Sequence, residues 1–368
     1  MVNNGPTAGG FVSAGLVQIV QRLAPGGIEV LALELACRLP GTNPIFSLDG
    51  DTQSLVGAWS ALAQAGPVEG LAKAPGLRPG LVVSLAARLR ALKPRAVLVH
   101  HIGPLLYGGL AARLAGVPVL AYVEHDSWHY DAPRQRTLTA ALARIVRPQV
   151  VAVSQAVAEV SRTVMPGAPV RVIANAVDTE RFRPAPRAAA RAALGLPAEG
   201  PLIGAAGRLE PVKGHDVLLR AMVEVPHARL ALIGEGSARD TLRRLADQLG
   251  LAERVHFLGH RGDMPQVLPA LDLFCLPSRN EGLPLSVIEA QACDIPVVAS
   301  DVGSLREAVC PASGRLVPPE DPPALAAAIR ASLAAPASVA PRAFVCARFS
   351  WDRMLDAYRD LMAGRPPC

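Results

Sequence analysis

The sequence is short of aromatics, of lysine and of long apolar runs, and each shortage excludes something. Aromatic residues are 4% of the 368, and no basic block is interleaved with them. Nucleic acid is therefore not an expected partner, because stacking platforms and phosphate-tracking stripes are both missing. Lysine occurs only at positions 73, 93 and 213, the other basic residues are arginines, and the net charge is a modest +6. That charge still suits an anionic small molecule or an acidic membrane surface. No stretch reaches about 18 apolar residues without a charge or a breaker, so no transmembrane helix is expected. The opening "MVNNGPTAGGFVSAGLVQIVQRL" has no basic region ahead of its apolar part. It reads as a short tail entering a strand, not as a signal peptide. Cys37, Cys275, Cys293, Cys310, Cys346 and Cys368 are scattered without a C-x-x-C pair. Buried or idle thiols in a reducing cytosol fit them better than a zinc site or a disulfide framework.

What is present is a globular composition, 51% hydrophobic and 18% charged, in a chain long enough for two domains. Short β-rich runs alternate with helical patterns. Strands are expected at 16–21, 44–48, 95–101, 118–125, 149–154 and 170–175. A second series is expected at 202–207, 229–234, 254–259, 271–277, 296–300 and 314–318. Helical patterns lie between them, among them "IEVLALELACRL" (28–39), "LLYGGLAARLAG" (105–116) and "PALAAAIRASLA" (323–334). Continuous apolar strands alternating with helices predict parallel sheets with right-handed crossovers, hence two doubly wound α/β domains. A Pro-, Ala- and Arg-rich stretch, 181–201, breaks the alternation as a linker with a short helix. The expected division is 1–178, 179–346, and a C-terminal helix in 347–368. Folds of this type place ligands at the carboxyl ends of the strands.

Two clusters of charge stand at such ends. "SRNEGLPLSVIEAQACDIPVVAS" (278–300) carries Glu281 in a loop and Glu289 inside a helix that should start near Pro284 and run to about Cys293. Glu289 interrupts an apolar stripe, where a carboxylate needs a hydrogen-bonding partner. Two carboxylates beside a helix start suit sugar hydroxyls and an anion, although a loop charge and an exposed helix face explain them equally well. "GAAGRLEPVKGHDVLL" (204–219) carries Arg208 and Lys213, two cations able to neutralise a diphosphate. A solvated loop is the plain alternative, made less comfortable by the scarcity of lysine. In "LAPGGIEVLALELACRL" (23–39), Gly26 and Gly27 lie between strand and helix, as a close phosphate approach or an ordinary tight turn would need. Neither the dinucleotide fingerprint nor a Walker loop occurs. His125 follows the end of a strand, a place for chemistry or for a satisfied structural histidine.

With these residues in view, the sequence resembles the family 4 glycosyltransferases, retaining enzymes of the GT-B fold. The likeness is carried in order by "APGGIE", "VAVSQAVAEV", "VIANAVDTERFRP", "GRLEPVKGHDVLLRA", "LIGEGSARDTLRRLADQLGLAERVHFLG", "PSRNEGLPLSVIEAQACDIPVVASDVGSLREAV" and "GRLVPPEDPPALAAAI". Its Glu-x7-Glu pattern is Glu281 to Glu289. The resemblance implies two Rossmann-like domains facing a cleft, the first on the acceptor side and the second on the donor side, with a C-terminal helix, "FSWDRMLDAYRDLM", crossing back. It implies that Glu281 contacts hydroxyls of the donor sugar and that Glu289 binds the nucleotide ribose. Arg208 and Lys213, aided by the amides of Gly282 and Leu283 and by the loop at Gly27, would hold the donor diphosphate. His125 would sit near the anomeric centre and the sugar's 6-position, and neighbouring Glu124, Asp126 and His129 could read the acceptor. Two departures are visible: Ser304 after Gly303 where the family often has a second glycine, and "NAV" at 175–177 in place of Asn-Gly-Val.

The implied activity is a metal-independent, retaining hexosyl transfer from a nucleoside diphosphate sugar, with no cofactor, to a saccharide or lipid-linked acceptor. Surface polysaccharide or lipopolysaccharide assembly in the cytoplasm is the implied setting, and peripheral contact with the inner face of the membrane is an open alternative. Rival readings are a sugar-nucleotide epimerase, an inverting GT-B transferase and a non-catalytic partner subunit. Asp49 and Asp51 in "DGD" formally match a metal-binding pair, but a polar turn is the expected role. "LVVSLAARLRALKPR" (81–95) aligns Leu81, Leu85, Leu89 and Leu92 beside basic residues, as a core-packing helix or a membrane-resting one would.

Overall fold

Strands buried on both faces are what the apolar runs require, and the computed structural model contains them. It describes residues 15–64, 66–335 and 339–365. The tail expected at the N-terminus falls mostly in 1–14 and Cys368 at the other end, both outside the described residues.

The first sheet holds β1 Leu16–Val20, β2 Ile45–Ser47, β3 Val68–Gly70, β4 Ala96–His100, β5 Val119–Glu124, β6 Gln149–Ala152 and β7 Val170–Val172. All its pairings are parallel, in the order β3-β2-β1-β4-β5-β6-β7. The second holds β8 Leu202–Ala206, β9 Arg229–Ile233, β10 Val255–Gly259, β11 Leu273–Leu276, β12 Val297–Ser300 and β13 Arg315–Val317, in the order β10-β9-β8-β11-β12-β13. Both orders reverse direction once, at β1/β4 in the first sheet and at β8/β11 in the second, which creates a crevice at the strand ends there.

Twelve of these strands coincide with the apolar runs of the sequence. β3 does not: "VEG" is half-buried at the edge of the first sheet and carries no apolar run to announce it. The chain divides into two compact units. One comprises the residues up to Val153, Ala158–Ile173 and the residues from Leu355; the other comprises Ser154–Val157 and Ala174–Met354. The C-terminal helix Trp351–Met362 thus begins in the second unit and ends in the first. There Tyr358 and Leu361 are buried, and the Arg171 guanidinium donates to the carbonyls of Ala357 and Arg365.

Each sheet has its own core. In the first unit the segment "LLYGG" (105–109) is a π-helical turn within a longer helical stretch. A Cβ on Gly108 would come within 2.6 Å of Ile19 Cδ1 and 3.0 Å of Val99 Cγ1. Glycine there lets the helix lie directly against β1 and β4. The helix Pro79–Leu92 settles one open question of the sequence. Leu85 and Leu89 are buried in the first core, with Leu81 and Leu92 packed at its margin. The leucine face is thus turned into the core of the first unit, as the core-packing alternative expects. No helix among the described residues is long and apolar enough to cross a membrane.

Candidate functional site

In the second unit the site grows from the ends of β8 and β11. Leaving β8, the chain passes Gly207 and Arg208, and a short 3-10 turn, Pro211–Lys213, brings Lys213 back. Its stem lies 3.8 Å from where a Cβ on Gly207 would be. Leaving β11, Ser278 and Glu281 approach from the other side of the crevice. Lys213 Nζ donates to Glu281 Oε1 at 2.6 Å, and Ser278 Oγ donates to the same oxygen at 2.6 Å. The pair is largely sheltered, with the lysine side chain 20% and the glutamate side chain 7% exposed. Arg208 is exposed, and its guanidinium has no ion-pair partner among the described residues. Lys213 and Glu281 are thus brought together across the switch point, and Arg208 stands exposed on the loop that leaves β8.

Backbone packing holds this arrangement. Gly303 has φ +53° and a Cβ there would lie 1.9 Å from the Glu281 carbonyl oxygen; at Gly214, with φ +65°, it would lie 2.0 Å from that of Pro277. Only glycine fits either place. Ser304, the departure noted in the sequence, is buried and its Oγ lies 2.6 Å from Ser154 Oγ. Asn175, at the other departure, donates to the Leu283 carbonyl at 3.1 Å.

The helix after the loop runs Leu285–Ala292, with Pro284 at its N-cap and Cys293 at its C-cap, as its sequence predicts. The amides of Gly282 and Leu283 precede it and have no hydrogen-bond acceptor among the described residues. Glu289 is half-buried on this helix. Burial pushes its carboxyl up to about 7, against the opposing pull of Arg181. Val287, Ile288, Ala290, Gln291 and Ala292 are buried, so the helix shows Glu289 and Leu285 at the edge of its apolar face.

In the first unit a pocket of about 250 Å³ opens at the ends of β1, β2 and β4. It is lined by Gln21, Arg22, Asp49, His100 and His101, and by Ile28 and Glu29 at the start of the helix Gly27–Arg38. Gly26 caps that helix without a side-chain bond, and a Cβ there would come within 2.5 Å of Glu29 Oε2. Gly27 is the first helical residue, beside the pocket. Asp49 accepts from Gln21 Nε2, 2.9 Å from each oxygen. Asp51 caps the helix Thr52–Ala58 through Ser54. The "DGD" tripeptide is therefore a turn and a helix cap.

His125 is buried just beyond β5, 5.2 Å from the ring of His100 and 5.5 Å from that of His101. Burial, reinforced by those two rings, holds its pKa well below the ordinary imidazole value. Glu124 has no exposed surface. Its Oε2 accepts from Tyr122 at 2.8 Å and from Tyr130, and burial pushes the carboxyl up to about 7 while His129 opposes. Of the three acceptor-side candidates, Glu124 thus faces the interior of its unit. His129 and Asp126 are partly exposed and paired, Nδ1 to Oδ1 at 2.9 Å. Burial would lower the His129 pKa, but the Asp126 bond and the Glu124 charge raise it overall.

The sequence reading passed over His100, His101, Gln18 and Gln21. The signal was available as two adjacent histidines at the carboxyl end of β4, next to the reversal of strand order. His101 has φ +70°, a conformation costly for a non-glycine residue and typical of functional sites.

Two doubly wound units, each with polar side chains at its switch point, define an α/β architecture of two Rossmann-like sheets. The comparisons agree. Residues 25–181 match the family model for glycosyltransferase family 4, and residues 186–342 match that for glycosyl transferases group 1. The chain belongs to the family 4 glycosyltransferases, of the GT-B fold. The D-inositol 3-phosphate glycosyltransferase of Mycobacterium marinum is 41% identical over 216 residues, 53% of this chain and 46% of that protein. That of Saccharomonospora viridis is 42% identical over 220 residues, 53% of this chain and 51% of the other. The matches thus span about half the length of these curated relatives. Among solved structures, Anabaena Alr3699/HepE in complex with UDP and glucose superposes with a TM-score of 0.84 at 24% identity, covering 95% of this chain and 99% of that one. The lipopolysaccharide outer core galactosyltransferase WaaB gives 0.74 at 17% identity, over 95% and 99%.

Proposed function

We propose that this chain transfers a hexosyl group from a nucleoside diphosphate sugar to an acceptor hydroxyl, with retention of configuration and without a metal. The observation that carries the reading is the Lys213–Glu281 pair across the β8/β11 crevice, with Arg208 exposed alongside. A departing diphosphate accumulates negative charge, and fixed cations placed where it develops stabilise it most. Lys213 and Arg208 supply that potential, assisted by the amides of Gly282 and Leu283. Glu281 turns its carboxylate to the sugar hydroxyls, and Glu289 binds the ribose. The Anabaena neighbour, solved with UDP and glucose, supports a uridine nucleotide as the first donor to try.

A double-displacement route needs a carboxylate nucleophile at the anomeric carbon. The carboxylate next to His125 in the chain, Glu124, is buried and held by two tyrosine hydroxyls. We therefore favour front-face attack. The C1–O bond to the diphosphate breaks, the acceptor oxygen bonds to C1 on the same face, and its proton passes to the leaving phosphate oxygen. The acceptor panel should include saccharides, lipid-linked sugars and a phosphorylated polyol, the last because of the inositol phosphate relatives. We place the reaction in the cytoplasm and in surface-glycan assembly, in keeping with the lipopolysaccharide enzyme among the neighbours.

The test is calorimetry of a nucleotide-sugar panel in EDTA, on the wild type and on Glu281→Ala. One sugar nucleotide should bind without metal and bind about tenfold or more weakly to the variant. Binding lost in EDTA would overturn the metal-free part, and an inverted anomeric product by NMR would overturn retention.

A further inference from the structure

Three polar side chains stand in line across the first sheet, the middle one lining the first unit's pocket: Gln18 on β1, His100 at the end of β4 and His125 beyond β5. Gln18 Nε2 donates to the Ala32 carbonyl at 2.7 Å. A carbonyl can only accept, so the amide is fixed with Oε1 turned toward His100. His100 Nε2 lies 3.3 Å from that oxygen and must carry a proton to bond to it. Burial lowers the His100 pKa to about 3, so the ring is neutral and holds one proton. Its Nδ1 therefore carries the lone pair. That Nδ1 is 2.9 Å from His125 Nε2, which must then be the donor. His125 is neutral as well, so its own lone pair is on Nδ1. This last atom is buried and has no hydrogen-bond partner among the described residues, an arrangement that folded proteins rarely leave without a purpose.

We infer that Gln18 and His100 are positioning residues that lock His125 in the tautomer protonated at Nε2, leaving Nδ1 as a dedicated acceptor for a ligand hydroxyl. The Ala32 carbonyl starts the relay, and each partner downstream has one allowed role. The fitting ligand group is a neutral alcohol, which donates to the lone pair and needs no counter-charge in a buried place. An ether or a fluorine at the same position finds no donor on His125. The tautomer follows from the contacts together with the burial that keeps both rings neutral, whereas the hydroxyl as occupant rests on the transferase reading above.

Nitrogen NMR of the full chain with 15N-labelled histidine reads each ring's protonation directly. The ligand-free protein should show a pyridine-type Nδ1 and a pyrrole-type Nε2 on both His125 and His100, assigned with His125→Gln and His100→Asn. A pyrrole-type Nδ1 on His125 would overturn the inference. His100→Leu removes the acceptor, and the His125 signals should then average between tautomers. His100→Asn can offer Oδ1 where Nδ1 stood and should restore the single tautomer. With a nucleotide sugar and acceptor, kcat/KM should be about tenfold lower in His100→Leu than in His100→Asn. Equal values in the two variants would overturn the positioning role. Should the leucine variant fail to fold, the wild-type spectrum still decides the tautomer. Should the wild type turn over no nucleotide sugar, the transferase reading fails and the spectrum remains decisive for His125.

Discussion

The two strand-end clusters solve opposite problems. In that of the first unit the histidine pair is buried and neutral, with burial lowering the pKa of both His100 and His125, and Glu124 is pushed up to about 7. That of the second unit is charged and partly open, with Lys213 against Glu281, Arg279 against Asp216 at 2.9 Å, and Arg208 exposed. A neutral buried ring chooses among hydroxyls by which atom holds the proton. An open cation answers to total charge and to salt. On the proposed reading, one chain divides recognition between directionality in one unit and field strength in the other.

The largest expected effect lies on the charged side. Lys213→Ala should lower kcat by about 10² to 10³, the usual cost of deleting a preorganised group that meets transition-state charge. Steady-state kinetics with the identified donor checks this, and a loss under tenfold would break the contrast. Next comes the pH response of the neutral side. His100 has a folded pKa of about 3 against an ordinary 6.5. The unfolded chain therefore binds the extra proton first, and stability falls as pH drops below about 6.5. The slope approaches about 1.4 kcal/mol per pH unit for this one group. Glu124 works the other way: its folded value of about 7 means stability is lost as pH rises from the ordinary carboxylate range through 7. Thermal melts of the wild type and His100→Asn between pH 4 and 7 should show a shallower acid limb in the variant.

A smaller effect sharpens the role of salt. Raising ionic strength from about 0.05 to about 0.5 M shortens the Debye length roughly threefold and should weaken donor binding several-fold. His125→Gln should leave that salt slope unchanged, because His125 contributes no charge. The smallest effect belongs to Asp51. Replacing it by alanine removes a helix cap and should lower the melting temperature slightly, while turnover in EDTA stays as in the wild type. A metal requirement appearing or vanishing with Asp51 would restore the metal-binding reading.

Much of this was legible in the sequence for a physical reason. Parallel strands are buried on both faces, so they leave uninterrupted apolar runs, and twelve of thirteen were visible that way. β3 was not, because an edge strand needs no such run. Glu281, Lys213 and Arg208 stood out as charges at strand ends. The relay through Gln18 and His100 did not, since an amide and an imidazole inside apolar strands look like isolated exceptions until folding brings residues 82 and 25 positions apart into contact. Glu124 shows the converse: its polarity beside His125 is legible in the sequence, whereas its burial against the Tyr122 and Tyr130 hydroxyls appears only in the fold.

The scarcity of lysine has a practical corollary. With amines only at 73, 93 and 213, a reagent that acylates side-chain amines has three addresses on this chain. Lys93 is exposed, Lys73 half-buried and Lys213 sheltered against Glu281. Mass spectrometry of three peptides therefore amounts to an occupancy gauge, in which the rate at position 213, set against the reference at 93, reports filling of the second unit's crevice without any label being introduced.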